Sequence, residues 1–210
     1  MRKIISQLHI NKDGIVVCKD KTGKDHVVFK RQGDLDGACA TYCVVMNLLI
    51  LRLINEKDTR VYEESVDKAT RKFIKTFLKD NGMHINGQTF YKIKKMLKES
   101  FCKVDCTHYV SDGNISLDYI EQTINEDKPI IISISQTKWA HALLAVGFEK
   151  ENDAMTKIFC LDPGVEPRRH KRWNMEIQVK NSGMESRPPT IIYDSKYVSL
   201  DDVIIISEVQ

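Results

Sequence analysis

From Val44 to Ile54 apolar side chains fill almost every position, with only Asn47 and Arg52 between them. A helix that is apolar on all sides leaves no face for water, so the pattern predicts a helix over 37–54 that is buried all round. The run is too short, and too polar at its start, to cross a membrane. Before it stands the polar, glycine-marked stretch RQGDLDGA, and Cys39 sits at the junction.

Upstream, residues 3–9, 14–18 and 25–29 are short apolar-rich runs separated by NKDG and KTGK. They predict strands with Asp13-Gly14 and Thr22-Gly23 at the turns. Downstream, Val66, Ala69, Phe73, Ile74, Phe77 and Leu78 keep helical spacing until Asn81-Gly82 ends the pattern. A second amphipathic helix over 88–99 turns Phe90, Ile93, Met96 and Leu97 to one side, and FCKVDCTHYV reads as a strand. Ser116 is the expected cap of a short helix with Leu117, Ile120 and Ile124 inward. After Pro129 the period changes, and 130–135, 140–149, 156–162, 175–180, 190–194 and 203–207 all read as strands. Helices gather in the first half and strands in the second, which predicts an α+β fold and not alternating βαβ units.

At 210 residues and 42% hydrophobic the chain suits one well-packed domain. A net charge of +3 with 29% charged residues describes a solvated surface, and nucleic acid is not an expected partner. Of the six cysteines, Cys18, Cys43 and Cys160 fall inside apolar runs, as reduced core thiols do, so the expected compartment is a reducing cytoplasm. The opening MRKIISQLHINKDG is a poor signal peptide.

These features leave room for thiol chemistry. A cysteine in the first turn of a helix meets unpaired N–H groups and the positive end of the helix dipole, which favour a thiolate. A cysteine nucleophile further needs a base, a group to orient that base, and donors for an oxyanion. His141 is the best base, an imidazole near the start of the apolar run KWAHALLAVGF. Asp162 ends the next strand in IFCLDPG, and the polar link EKENDAMT fits a hairpin that sets the two side by side.

Cysteine at a helix start, then histidine on a strand, then Asp-Pro-Gly closing the next strand is the chain order of papain-like cysteine peptidases, which this chain resembles. In motif order it is most similar to the bacteriocin-processing (double-glycine leader) peptidase group and its bacterial relatives. The matching residues are Gln32, Cys39, the run from His141 to Gly147, and Asp162-Pro163. The spacing from Gln32 to Cys39 is one residue longer than in that pattern, and Ala40 stands where glycine commonly follows the cysteine. The resemblance implies a single papain-like domain over 1–210, with a helical lobe at 31–127 and a sheet lobe at 128–210 joined by strands from 1–30. It implies a Cys39–His141–Asp162 triad that cleaves a peptide or isopeptide bond in a peptide or protein substrate. Gln32 and the Cys39 N–H would form the oxyanion hole, with no metal or cofactor. The same residues serve a transglutaminase or a glutamine deamidase, and a non-catalytic binding domain on this fold stays open too.

Other clusters carry less. Cys102, Cys106 and His108 share one side of a strand, yet two-residue spacing is poor for tetrahedral zinc and a fourth ligand is lacking. Cys39 and Cys43 lie one helical turn apart, a spacing open to a redox or metal pair, although the apolar run after Tyr42 reads Cys43 as core. PRRHKRW reads as a solvated basic loop in preference to a dock for an acidic partner or nucleic acid, and Asp34 and Asp36, beside the proposed cleft, as a polar loop in preference to a site for a basic substrate.

Overall fold

The computed structural model describes residues 1–33, 37–59, 67–76, 88–110, 113–180 and 189–209, with the backbone alone at 113–115. The expected turn at Asn81-Gly82, the loop acids Asp34 and Asp36, and the helical positions Val66, Phe77 and Leu78 lie outside these residues.

Helix α1 (Cys39–Ile50) is the buried helix, with ten of its twelve residues out of contact with water. It ends four residues before the apolar run does. Arg52 takes a left-handed backbone (φ 60°), its N–H donates to Leu49 O, and the Leu53 N–H reaches back to Leu48 O at 2.9 Å. This pair of bonds is a Schellman stop, which satisfies the last carbonyls and folds Leu53 and Ile54 back into the core. Asn47, fully buried inside α1, donates to Pro129 O at 3.2 Å and so ties the helix to the start of the sheet.

Eleven strands are present among the described residues: β1 (Arg2–Ile4), β2 (His9–Ile10), β3 (Val16–Lys19), β4 (Asp25–Val27), β5 (Val104–Tyr109), β6 (Ile130–Gln136), β7 (Trp139–Glu151), β8 (Ala154–Leu161), β9 (Met175–Lys180), β10 (Thr190–Tyr193) and β11 (Lys196–Glu208). Eight belong to one antiparallel sheet. Its pairings run β7–β6–β11–β10–β9–β8 and back to β7, so six strands close on themselves, while β1 and β5 pair further along β7 and β11. Closure leaves the long strands few open edges.

The N-terminal strands divide. Only β1 joins the large sheet, and β2, β3 and β4 form a separate three-stranded sheet against α1. Gly147 permits the first of these arrangements, since a Cβ there would sit 2.6 Å from Lys3 O on β1. The β7–β8 hairpin turns at Asn152-Asp153, both left-handed (φ 49° and 62°), as a two-residue hairpin with the sheet's twist requires.

Three more helices pack around this frame: α2 (Lys68–Phe73), α3 (Phe90–Ser100) and α4 (Gly113–Asn125). Ser116 does not cap α4 from outside. It lies within the helix, and its hydroxyl donates to Asp201 O at 2.9 Å, which fastens α4 to β11. Ile120 and Ile124 face the core as their spacing requires. The buried side chains of both halves merge into one cluster reaching from Ile5 to Ile206. The fold is mixed, with an antiparallel sheet and four helices among the described residues. None of those helices is long and apolar enough to cross a membrane.

Candidate active site

The hairpin register decides where the site falls. β8 ends at Leu161, opposite Leu144, so the edge of β7 beyond that pair is left uncovered towards its start. α1 begins against this edge, and the Ala142 N–H points at Cys39 Sγ, 3.4 Å away. His141 is the neighbouring residue on β7, and Asp162 is the first residue past β8. One helix start and one hairpin therefore bring together three residues spread over more than half the chain.

His141 Nε2 lies 2.8 Å from Asp162 Oδ1, and the aspartate is fully buried. Nδ1 is the ring nitrogen left for the hydrogen bond between His141 and Cys39. The carboxylate is held by more than histidine: Gly164 N–H donates to Oδ1 at 2.8 Å and the Tyr193 hydroxyl to Oδ2 at 2.7 Å. Its backbone is clamped as well. Asn174 Oδ1 accepts from Asp162 N–H at 2.7 Å, and Asn174 Nδ2 donates to Asp162 O at 2.8 Å. Trp139 and Tyr193 place their rings about His141, with centroids 6.4 and 6.0 Å away.

The electrostatics single out one thiol. Burial pushes Cys39 up, but the His141 hydrogen bond and charge, with the Ala142 and Ala40 N–H groups, outweigh it and hold the thiol below its ordinary value. Burial likewise pushes His141 down, but Asp162 and Cys39 override it and raise the imidazole to about 9. Cys18 and Cys106 are driven the other way by burial, each to about 12, and Cys43 and Cys160 rise as well. An acidified thiol beside a basic imidazole favours a thiolate–imidazolium pair at neutral pH.

A cleft of about 340 Å³ opens beside the pair. Cys39, His141 and Ala142 line one side, Gln88, Thr89 and Phe90 another, with Ser133 and Asp202 among the rest. Gln32 is not among the described residues that line it. Its N–H donates to Pro163 O at 2.8 Å, which places this strand of chain against the Asp162-Pro163 turn.

The remaining candidates separate. Cys106 is buried in the core, Cys102 is exposed ahead of β5, and His108 pairs with Asp202 Oδ2 at 2.9 Å. Among the described residues no three His, Cys, Asp or Glu side chains are grouped to hold a metal. Cys43 is wholly buried, with its thiol raised by burial, and neither it nor Cys39 is in a disulfide. Within PRRHKRW, the His170 N–H donates to Gly14 O at 2.8 Å and its ring covers Gly14, where a Cβ would fall 2.8 Å from it.

Tyr193, Asn174 and Asp202 are polar residues of the site that sequence patterning passes over. Tyr193 ends the apolar run of β10, and Asn174 immediately precedes the alternating strand β9. Both signals are visible only once the pairing of β8, β9 and β10 is known. Comparison with protein-family models and with curated proteins finds no match for this chain.

Proposed function

We propose that the protein is a papain-like cysteine peptidase that cleaves a peptide or isopeptide bond through Cys39, His141 and Asp162. The observation that carries this reading is the opposed shift of Cys39 and His141 at the mouth of a cleft, with His141 braced on a buried carboxylate. Such a pair holds the nucleophile ready-ionised and the acid ready-protonated.

The Cys39 thiolate attacks the substrate carbonyl carbon. The oxyanion that forms lies at the N-terminus of α1, where the Cys39 N–H serves as donor; the Gln32 side chain, which does not line the cleft, would have to turn towards it to add a second. His141 gives its proton to the leaving amine as the tetrahedral intermediate collapses to a thioester. Water then attacks the thioester with His141 as base, releasing the acid and restoring the pair. Asp162 keeps Nε2 engaged, so that Nδ1 faces the sulfur. The chemistry needs no metal or cofactor, and a cytoplasmic, reducing setting keeps the thiol available.

Brief exposure to iodoacetamide at neutral pH, followed by peptide mapping, tests the reading. Cys39 is expected to be alkylated faster than any other cysteine by more than about tenfold, because it alone combines thiolate character with an open cleft. Labelling that favours the exposed Cys102, or that spreads evenly, contradicts it.

A further inference from the structure

The wall of the cleft away from the triad carries a feature that catalysis by Cys39 and His141 leaves unused. β11 pairs with β6 in regular register up to Leu200–Ile134 and again from Val203–Ile132, with an irregularity between them. Three steps along β11 are matched by two along β6, so one extra residue is accommodated at Asp201-Asp202, opposite Ser133. Such a bulge changes which way side chains point and is a common device beside binding sites. Leu200 and Val203 are an odd number of residues apart, yet both are buried, and Asp202 is turned to the cleft beside Ser133.

The carboxylate is fixed there. His108 on β5, only 9% exposed, meets Oδ2 at 2.9 Å, and Phe90 packs edge-on against the His108 ring with centroids 6.1 Å apart. Asp202 itself keeps 28% of its side chain open, and among the described residues no hydrogen bond reaches Oδ1. It is the one carboxylate among the described residues lining the cleft. Within the proposed thiolate–imidazolium pair, Cys39 and His141 carry opposed charges, and Asp202 is the carboxylate that faces the open cleft among the described lining residues.

Building on the proposed peptidase reading, we infer that Asp202 sets the specificity of this cleft by pairing with a cationic side chain, lysine or arginine, that the substrate carries next to the bond cleaved. An ammonium or guanidinium entering between Phe90 and Ser133 reaches Oδ1, while its aliphatic stem lies along the apolar ring, as long basic side chains do. A neutral isostere leaves the carboxylate without that partner, and an acidic side chain meets repulsion. His108 is a positioning residue, holding Oδ2 so that Oδ1 stays presented.

Methanethiosulfonate reagents of three charges test this without knowledge of the natural substrate. Each transfers its alkylthio group to a thiolate and releases methanesulfinate. The aminoethyl (cationic), methyl (neutral) and sulfonatoethyl (anionic) reagents are applied at about pH 8, above the ordinary histidine range. Rates at Cys39 are divided by those at the exposed Cys102, which removes each reagent's intrinsic reactivity. In the wild type the cationic reagent is expected to outpace the neutral one at Cys39 by about tenfold and the anionic one to lag, with the preference fading as salt rises. Asp202→Asn keeps an acceptor for His108 and is expected to abolish the preference between the charged reagents.

An Asp202→Asn protein with the wild-type ratio overturns the inference. Agmatine supplies a second measurement on the unaltered protein: it is expected to protect Cys39 from the methyl reagent, and pentanol at equal concentration is not. Equal protection by both, or by neither, overturns the inference as well. The neutral rate at Cys39 relative to Cys102 reports on the nucleophile, and the charge ratio reports on Asp202. A slow Cys39 with a strong charge preference therefore counts against the peptidase reading alone.

Discussion

Among the described residues, Asp162 Oδ1 accepts from two N–H groups, His141 Nε2 and Gly164, whereas Oδ2 accepts from the Tyr193 hydroxyl alone. An asparagine fits this setting with its oxygen in the Oδ1 place. Its NH2 then points at Tyr193, whose hydroxyl turns from donor to acceptor. In the proposed resting pair both nitrogens of His141 carry protons, so the partner has only to accept, and tautomer selection is not at stake. Asp162→Asn is therefore expected to keep a substantial part of the activity and Asp162→Ala to lose far more. The Asn loss should fall well below the roughly ten-thousandfold drop that the corresponding change causes in a serine protease, where the neutral histidine does need its tautomer selected. Removing the carboxylate's charge also lowers the imidazolium pKa, so the alkaline limb of the rate–pH profile, set by His141 at about 9, should move to lower pH in the Asn protein. Equal, near-total losses from the two folded variants would mean that the carboxylate does more than orient.

The end of α1 shows how far an element can be read from pattern. The apolar run to Ile54 points to a helix of that length, and the burial of every face follows from it. The stop at Ile50 does not, because Arg52 holds a left-handed position that glycine usually takes. Nothing in a run of leucines and isoleucines marks that turn. The strain is open to measurement. Arg52 is exposed, so Arg52→Gly removes the backbone penalty without emptying the core, and it is expected to stabilise by about 1 kcal/mol. That corresponds to a rise of about 2–4 °C in thermal midpoint for a chain of this size. Arg52→Val, branched at Cβ, should lower the midpoint, and a midpoint indifferent to both changes would show that the Schellman stop is not under strain. The β7–β8 hairpin is more legible. Its polar link and flanking apolar strands are plain in the sequence, and the hairpin is what sets His141 beside Asp162.

Across the whole molecule, legibility falls off with the distance that a contact spans. Cys39, His141 and Asp162 each carry a local mark: a helix start, a polar ring in an apolar strand, an Asp-Pro-Gly stop. Tyr193, Asn174 and the His108–Asp202 pair carry none, since they reach the site through closure of the six-stranded ring and a bulge in β11. His108, grouped by strand spacing with Cys102 and Cys106, meets instead a carboxylate 94 residues further along. The same closure packs α1 against the β7 edge and so makes the surroundings of Cys39 differ from those of every buried thiol. Whether that difference produces a thiolate is the point on which all else depends. Thiolate ultraviolet absorbance, taken as wild type minus Cys39→Ser and titrated upward from acid, reads it directly. One thiolate is expected to be present already at neutral pH and to vanish from that range in His141→Ala, with the transition returning to the ordinary thiol region. A wild-type signal that first rises in the ordinary thiol region, unchanged by the loss of His141, would contradict the Cys39–His141 pair.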